Sequence, residues 1–332
     1  MWESSYYTYS NHVVTCLLCP HVCRLKNGEK GNCGARQNID GKLYLLTAGR
    51  LCAQNVDPIE KKPLFHFLPG TNTYSIASCG CNLHCLNCQN YSISQNFTTN
   101  QSPFVSPSEV VSKALINNCR SISYTYTEPI IASEYFLEVA ELAKQKGLKN
   151  VLVSSGYINP DPLANWINVL DGVNIDLKSF NNETYKTICG ASLQPVLNTL
   201  IQLKQSLVWL EITCLIIPYV NDSDKELKQM FNWLCDNCFN RTPIHLSRFF
   251  PTYKMAHSTP TSIEKLKLIK QMAIDAGLEY VYLGNLDEDQ NTCCPQCNTI
   301  LIQRHGYRTI ISSIIDNKCS VCGEELVGCW EH

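Results

Sequence analysis

From Thr73 onward the chain alternates short runs of β-branched and apolar residues with longer stretches of helical period. That alternation predicts repeated βα units on a parallel sheet. Six runs read as strands: 73–78, 121–125, 150–154, 172–176, 208–217 and 243–248. Two intervening helices carry start signals, because Ser106 and Thr261 each stand three residues before a glutamate, Glu109 and Glu264, the spacing of a capping box. Right-handed crossovers curl six such units into an α/β, partial (β/α)6 barrel that stays open. Functional groups are then expected at the C-terminal ends of its strands.

Ahead of Thr73 the period is lost. Residues 42–47 read as an isolated strand, and 57–70, a dense mix of charge, proline and aromatic residues, reads as a connector packed against the main domain. The expected organisation is a cysteine-rich N-terminal segment with its connector (1–70), the barrel (71–287) and a small C-terminal module (288–332). A length of 332 residues suits one large α/β domain with appendages. Lys and Arg (27) nearly balance Asp and Glu (29), so no strong field draws the chain to nucleic acid or anionic membrane. The first residues lack the basic start and apolar run of a signal peptide, and no stretch is apolar enough to span a bilayer. A soluble, cytoplasmic protein is expected. In that setting the 20 cysteines point to metals rather than disulfides, and eleven of them fall into three spaced groups.

The central group is Cys81, Cys85 and Cys88, in the loop after the first barrel strand. Thiolates are the soft ligands that iron–sulfur clusters and zinc select. Three rather than four suggest a cluster with one iron left open for a ligand; a structural zinc loop is the bland alternative, and Cys79 is a competing thiol. The N-terminal group is Cys16, Cys19, Cys23 and Cys33, joined by glycine-rich turns, with His21 able to replace one thiolate. Its spacing fits a second metal or cluster and does not separate zinc from iron–sulfur. The C-terminal group, Cys294, Cys297, Cys319 and Cys322, forms two CxxC knuckles about twenty residues apart, the pattern of a four-cysteine zinc ribbon, with Cys293 and Cys329 as spectators. Polar segments end the other predicted strands: Tyr126-Thr127-Glu128-Pro129, Ser154-Ser155-Gly156, Asn174-Ile175-Asp176-Leu177-Lys178, Pro218 to Asp222, and His245 to Pro251. Six segments converging on one rim make a site.

Cys81-Asn82-Leu83-His84-Cys85-Leu86-Asn87-Cys88 resembles the signature loop of radical S-adenosylmethionine (SAM) enzymes. Together with Cys16 to Cys23, Asp57 to Gly70, Asp176-Leu177-Lys178, Ser247 to Pro251 and the terminal knuckles, nearly the whole chain resembles the radical SAM protein of the AmmeMemoRadiSam system, which is similar to pyruvate formate-lyase activating enzymes. The resemblance implies a 4Fe-4S cluster on Cys81, Cys85 and Cys88 whose open iron chelates SAM, reductive cleavage of SAM, and hydrogen abstraction by the 5′-deoxyadenosyl radical. It implies that Glu128 binds the SAM amino group, that Asp176 and Lys178 position its carboxylate, that Ser154 and Asn174 complete the pocket, and that His245 stands near the rim. A low-potential donor of ferredoxin or flavodoxin type and Memo-like and Amme-like partners follow from the same likeness. Two positions depart from it: Asn87 where an aromatic residue is usual, and Val153 where activating enzymes carry an acidic cation ligand. The substrate stays open between a glycyl radical site in a partner, a small molecule and RNA. A non-catalytic metal-binding interaction protein is the rival of another class, which near-neutral charge disfavours as a nucleic-acid binder.

Overall fold

The computed structural model describes residues 2–98 and 102–330. Its centre is an eight-stranded sheet: β1 (Leu51–Pro58), β2 (Asn72–Ser78), β3 (Ser121–Tyr124), β4 (Lys149–Ser154), β5 (Gly172–Asp176), β6 (Trp209–Ile216), β7 (Ile244–Arg248) and β8 (Val281–Gly284). Spatial order follows chain order; β2 to β8 are parallel and β1 is antiparallel to β2. The six predicted strands all form, displaced by no more than one residue at an end. Two further strands extend the sheet at its margins. β8 is a four-residue apolar run, short for a strand signal. β1 is an edge strand whose residues 52–56 are partly or fully exposed, so it carries no alternation, and it pairs part of the 1–70 stretch directly with the barrel.

The two faces of the sheet differ in chemistry. One set of alternate positions, including Leu152, Val173, Ile175, Leu210, Ile212 and Leu246, is apolar and joins the main core with the helices. On the other face stand three cross-strand pairs, Thr73 with Ser121, Asn174 with Glu211, and Thr213 with His245, all buried and polar. The 57–70 connector lies against that polar concave face. Glu211 accepts hydrogen bonds from the backbone N–H of Phe65 and His66 (2.9 and 2.7 Å), and Asn174 Nδ2 donates to the Pro63 carbonyl (2.8 Å). Phe65 packs edge-on against His245 and Tyr282, and Phe67 packs beside Val151. A carboxylate inside the barrel is tolerable because Glu211 is bonded from several sides, including His245 Nε2 at 2.6 Å.

The capping reading holds at Ser106, whose hydroxyl accepts from Glu109 N at the head of helix Pro107–Ile116. At the second helix, Ile263–Asp275, the cap is Ser262, accepting from Lys265 N. Thr261 is buried and spends its hydroxyl on Ile216 O and Phe249 N, so the helix starts one residue later than the capping-box spacing suggests. The predicted strand at 42–47 is present as Lys42–Leu45, between Trp2–Glu3 and Arg36–Ile39.

Both appendages are fastened to the barrel. Buried Arg36 forms a bidentate pair with Glu134 and donates to the Ile131 carbonyl, a geometry matched to the guanidinium fork. The C-terminal module, built on a three-stranded sheet (Thr292–Cys293, Ile300–His305, Arg308–Ile311), docks on the connector through Cys329 N to His66 O (2.7 Å) and Leu68 N to Cys329 O (2.8 Å) beyond the sheet, and through Arg304 of the sheet to the Phe65 carbonyl.

Candidate active site

The loop after β2 turns at Gly80, whose φ of +103° favours glycine. A Cβ there would lie 2.6 Å from the Cys33 carbonyl oxygen, so the N-terminal segment packs directly on the loop backbone. His21 Nε2 meets Asn82 O at 2.6 Å, and Asn82 Nδ2 donates to Tyr157 O. The far side of the loop is held by a short ladder, His84 N to Cys189 O and Leu86 N to Ile188 O. Three cysteines thus project from a loop braced by two other segments.

Those cysteines border one cavity of about 610 Å³ at the C-terminal ends of the strands. Its wall also holds Glu128, Ser154, Asp176 and Lys178, as well as both departures from the family pattern, Asn87 and Val153. The size is typical of a ligand cleft. Asn174 and His245 lie elsewhere. Asn174 is buried on the concave face beneath the cavity, bonded to the connector, and His245 is a buried partner of Glu211. Cys189, a thiol that spacing along the chain does not connect with the loop, lines the same cavity.

Glu128 is 2% exposed and accepts from Ser154 Oγ (2.7 Å), Ser155 Oγ (2.6 Å) and Ser155 N (2.8 Å). Burial raises its pKa above the ordinary carboxylate value, against the pull of these bonds. It also caps the short turn Pro129–Ala132. Lys178 Nζ sits 2.9 Å from Asp176 Oδ2; burial opposes its charge, and the Asp176 carboxylate overcomes that and raises its pKa.

The thiols are prepared unequally. Burial pushes Cys81 up, although its Sγ accepts from Leu83 N at 3.3 Å. A hydrogen bond from Cys189 brings Cys85 down to about 7. Cys88 Sγ lies 3.2 Å from Ser94 Oγ. Hydrogen bonds to sulfur are the usual setting of an iron–sulfur site. Three soft donors facing one cavity fit a cluster whose ligands bind different irons, and the braced loop leaves the cavity side free for a further ligand.

Among the described residues, only Cys294, Cys297, Cys319 and Cys322 gather with all four sulfurs within 4.8 Å of one another. The Cys294–Cys322 and Cys297–Cys319 Sγ separations are 3.6 and 3.7 Å. A tetrahedral ion at about 2.3 Å from each sulfur has an edge of about 3.8 Å, so this set fits a single ion. Thr299, through its hydroxyl and backbone N–H, holds the Cys297 thiol down to about 6. Burial pushes the thiols of Cys16, Cys19 and Cys33 up, Cys19 to about 12, and the four sulfurs of Cys16, Cys19, Cys23 and Cys33 do not close to single-ion distances.

A family model described as the Radical SAM superfamily matches residues 75–234. An uncharacterized protein of Methanocaldococcus jannaschii is 41% identical over 333 residues, spanning 98% of this chain and 99% of that protein. A radical SAM methyltransferase from Sphaerobacter thermophilus has a similar fold, at 13% identity over 65% of this chain and 67% of that one, with a TM-score of 0.50. A domain of pyruvate-formate lyase-activating enzyme from Bacteroides vulgatus aligns at 18% identity, over 50% of this chain and 99% of that domain, with a TM-score of 0.44.

Proposed function

From the premise that residues 75–234 are a radical SAM superfamily domain and that the chain belongs to one family with the M. jannaschii protein, we propose that it cleaves SAM reductively and abstracts hydrogen from a substrate. The observation that carries this is the single cavity shared by Cys81, Cys85, Cys88, Glu128, Ser154, Asp176 and Lys178. The three cysteines would hold a 4Fe-4S cluster. When bound, that cluster supplies the electron that splits SAM into methionine and a 5′-deoxyadenosyl radical.

The chain's own groups bind and orient. Glu128 receives the SAM ammonium, a charge-assisted bond in a water-poor site. Ser154 and Ser155 keep its carboxylate turned to the cavity. Lys178 and Asp176 address the amino-acid carboxylate of SAM, with Lys178 supplying the positive charge. Asn174 acts from below by fixing the connector at Pro63. With SAM held by its amino acid, the cavity walls would shield the reacting atoms from water.

The long motif likeness to the AmmeMemoRadiSam protein supports reading the reaction as activase-like, with a ferredoxin- or flavodoxin-type donor and Memo-like and Amme-like partners. The cavity volume of about 610 Å³ suits a second reading, in which hydrogen is taken from a small molecule. We read the C-terminal set as a zinc site and Cys16, Cys19, Cys23 and Cys33 as a second metal or cluster site. No helix among the described residues is long and apolar enough to cross a membrane.

Anaerobic reconstitution with iron and sulfide, followed by reduction in the presence of SAM, is expected to yield 5′-deoxyadenosine. Protein with a full cluster and no cleavage product would refute the proposal. Cys85→Ala should lose both cluster and product, whereas Cys297→Ala should lower stability and keep the cluster.

A further inference from the structure

One group of ionisable side chains in the cavity has no task in SAM binding. Lys61 and Lys62 line its wall with Tyr126, and all three converge on Asp57. The Asp57 carboxylate takes Lys61 Nζ and Lys62 Nζ, each at 2.8 Å, and also accepts from the Tyr126 hydroxyl. Lys62 is 1% exposed, and its ammonium stands 4.5 Å from the Tyr126 ring centroid.

The group is overcharged. Two ammonium ions share one carboxylate, leaving one net positive charge within it. Burial pushes Asp57 up, but its bonds to Lys61, Lys62 and Tyr126 outweigh that and hold it well below the usual carboxylate range, so it is ionised. An ammonium has three N–H donors. Among the described residues Lys62 Nζ has one hydrogen-bond acceptor, Asp57, and the ring face satisfies it partly by cation–π attraction. A buried ammonium with donors left over is costly unless something completes its shell. On the same cavity wall Thr213 Oγ1 is buried and also has no hydrogen-bond partner among the described residues.

We propose that Asp57, Lys61, Lys62 and Tyr126 form the substrate subsite, in which Lys62 and Lys61 hold an anionic group of the substrate, a carboxylate or a phosphate. Asp57 is the positioning residue that keeps both ammonium ions directed at the cavity and limits their surplus charge to one. The inference rests on the reading of this cavity as the SAM site, and it names the chemistry of the second molecule bound there.

The test titrates inorganic phosphate, and separately malonate, into the reconstituted, SAM-saturated full-length protein by calorimetry. At least one probe should bind, and which one binds tells phosphate from carboxylate recognition. Lys62→Met should weaken that binding about ten-fold or more, the loss of one charge-assisted contact. Lys62→Arg should retain most of it. Asp57→Asn should tighten it, because it removes the competing negative charge. Opposite signs for the two charge-removing changes separate recognition from damage to the fold, which would weaken both. Binding of neither probe, or a shift in the same direction for Lys62→Met and Asp57→Asn, would overturn the proposal. A loss of SAM affinity in Lys62→Met as large as the loss of probe would overturn it too, by giving Lys62 to the SAM carboxylate. These titrations are read without SAM cleavage, so absence of 5′-deoxyadenosine would count against the radical reaction and not against the subsite.

Discussion

Replacing Gly80 with alanine isolates the contact by which the N-terminal segment supports the cysteine loop. Gly80 has φ +103°, and its added Cβ would meet Cys33 O at 2.6 Å, Ile131 Cδ1 at 3.0 Å and Phe97 Cζ at 3.1 Å. The first neighbour is backbone and cannot rotate away. The matched control is Gly28→Ala, where φ is +84° and nothing lies within 4 Å of the new methyl. Both substitutions incur positive-φ strain of about 1–2 kcal/mol and recover about 0.4–1 kcal/mol from the stiffer unfolded chain. The control should therefore cost about 1 kcal/mol. At Gly80 the crowding adds about 1–3 kcal/mol, typical of overpacking a filled site. Urea unfolding of the two variants should show that difference. After reconstitution, Gly80→Ala should also hold less iron at the loop than Gly28→Ala, because relieving the clash moves the backbone next to Cys81. Equal stability and equal iron content would refute the reasoning.

Three other outcomes are expected. Removing one partner of the buried Arg36–Glu134 pair, as in Glu134→Gln, should cost about 3–5 kcal/mol in denaturant unfolding. Burial raises the Glu134 pKa, but Arg36 overcomes this and leaves it below 4.5; the pair's contribution is therefore full above the ordinary carboxylate range and is lost as pH falls through the lower folded value. Glu128→Gln should weaken SAM binding by about 10- to 100-fold, measured by equilibrium binding to cluster-loaded protein. Because burial raises the Glu128 pKa, SAM affinity of the unchanged protein should begin to fall on acidification above pH 4.5, a dependence the glutamine variant lacks. A strong chelator should release one zinc per chain and lower the melting temperature, and Cys297→Ser should reproduce that loss with loop iron unchanged, by metal analysis.

Much of the barrel was legible because each inner strand is a short apolar run between helical stretches, and that signal is local. Its margins were not. β1 borrows its strand character from pairing with β2, and its own residues, such as Gln54 and Asn55, carry no period. Thr261 has the spacing of a cap, yet its hydroxyl is claimed by Ile216 O, a partner 45 positions away. The site divides in the same way. Cys81, Cys85, Cys88, Glu128, Ser154, Asp176 and Lys178 follow from motifs at strand ends, and the fold brings them to one cavity. Cys189 reaches that cavity only through the ladder to His84 and Leu86. The connector does pack against the barrel, as its sequence suggests, but that Lys61, Lys62 and Pro63 line the cavity depends on the concave face they lie against and leaves no period in the chain.

The cavity is assembled from two kinds of residue, and the division follows the span of the radical SAM model. Every side chain assigned to the cluster or to SAM falls within 75–234. Lys61, Lys62 and Pro63 come from the connector before that span, and Ser247, Asn285 and Tyr307 come from β7, the turn after β8 and the C-terminal sheet beyond it. A radical generator shared by many enzymes needs the same ligands in each, whereas the second molecule must be recognised by parts that differ. Here those parts are held in place by the appendages: Thr309 binds Glu60 in the connector turn, and Arg304 binds the Phe65 carbonyl. The C-terminal module thus braces the connector wall of the cavity. It follows that substitutions in this module which leave the loop cluster intact should alter binding of the second molecule before they alter binding of SAM.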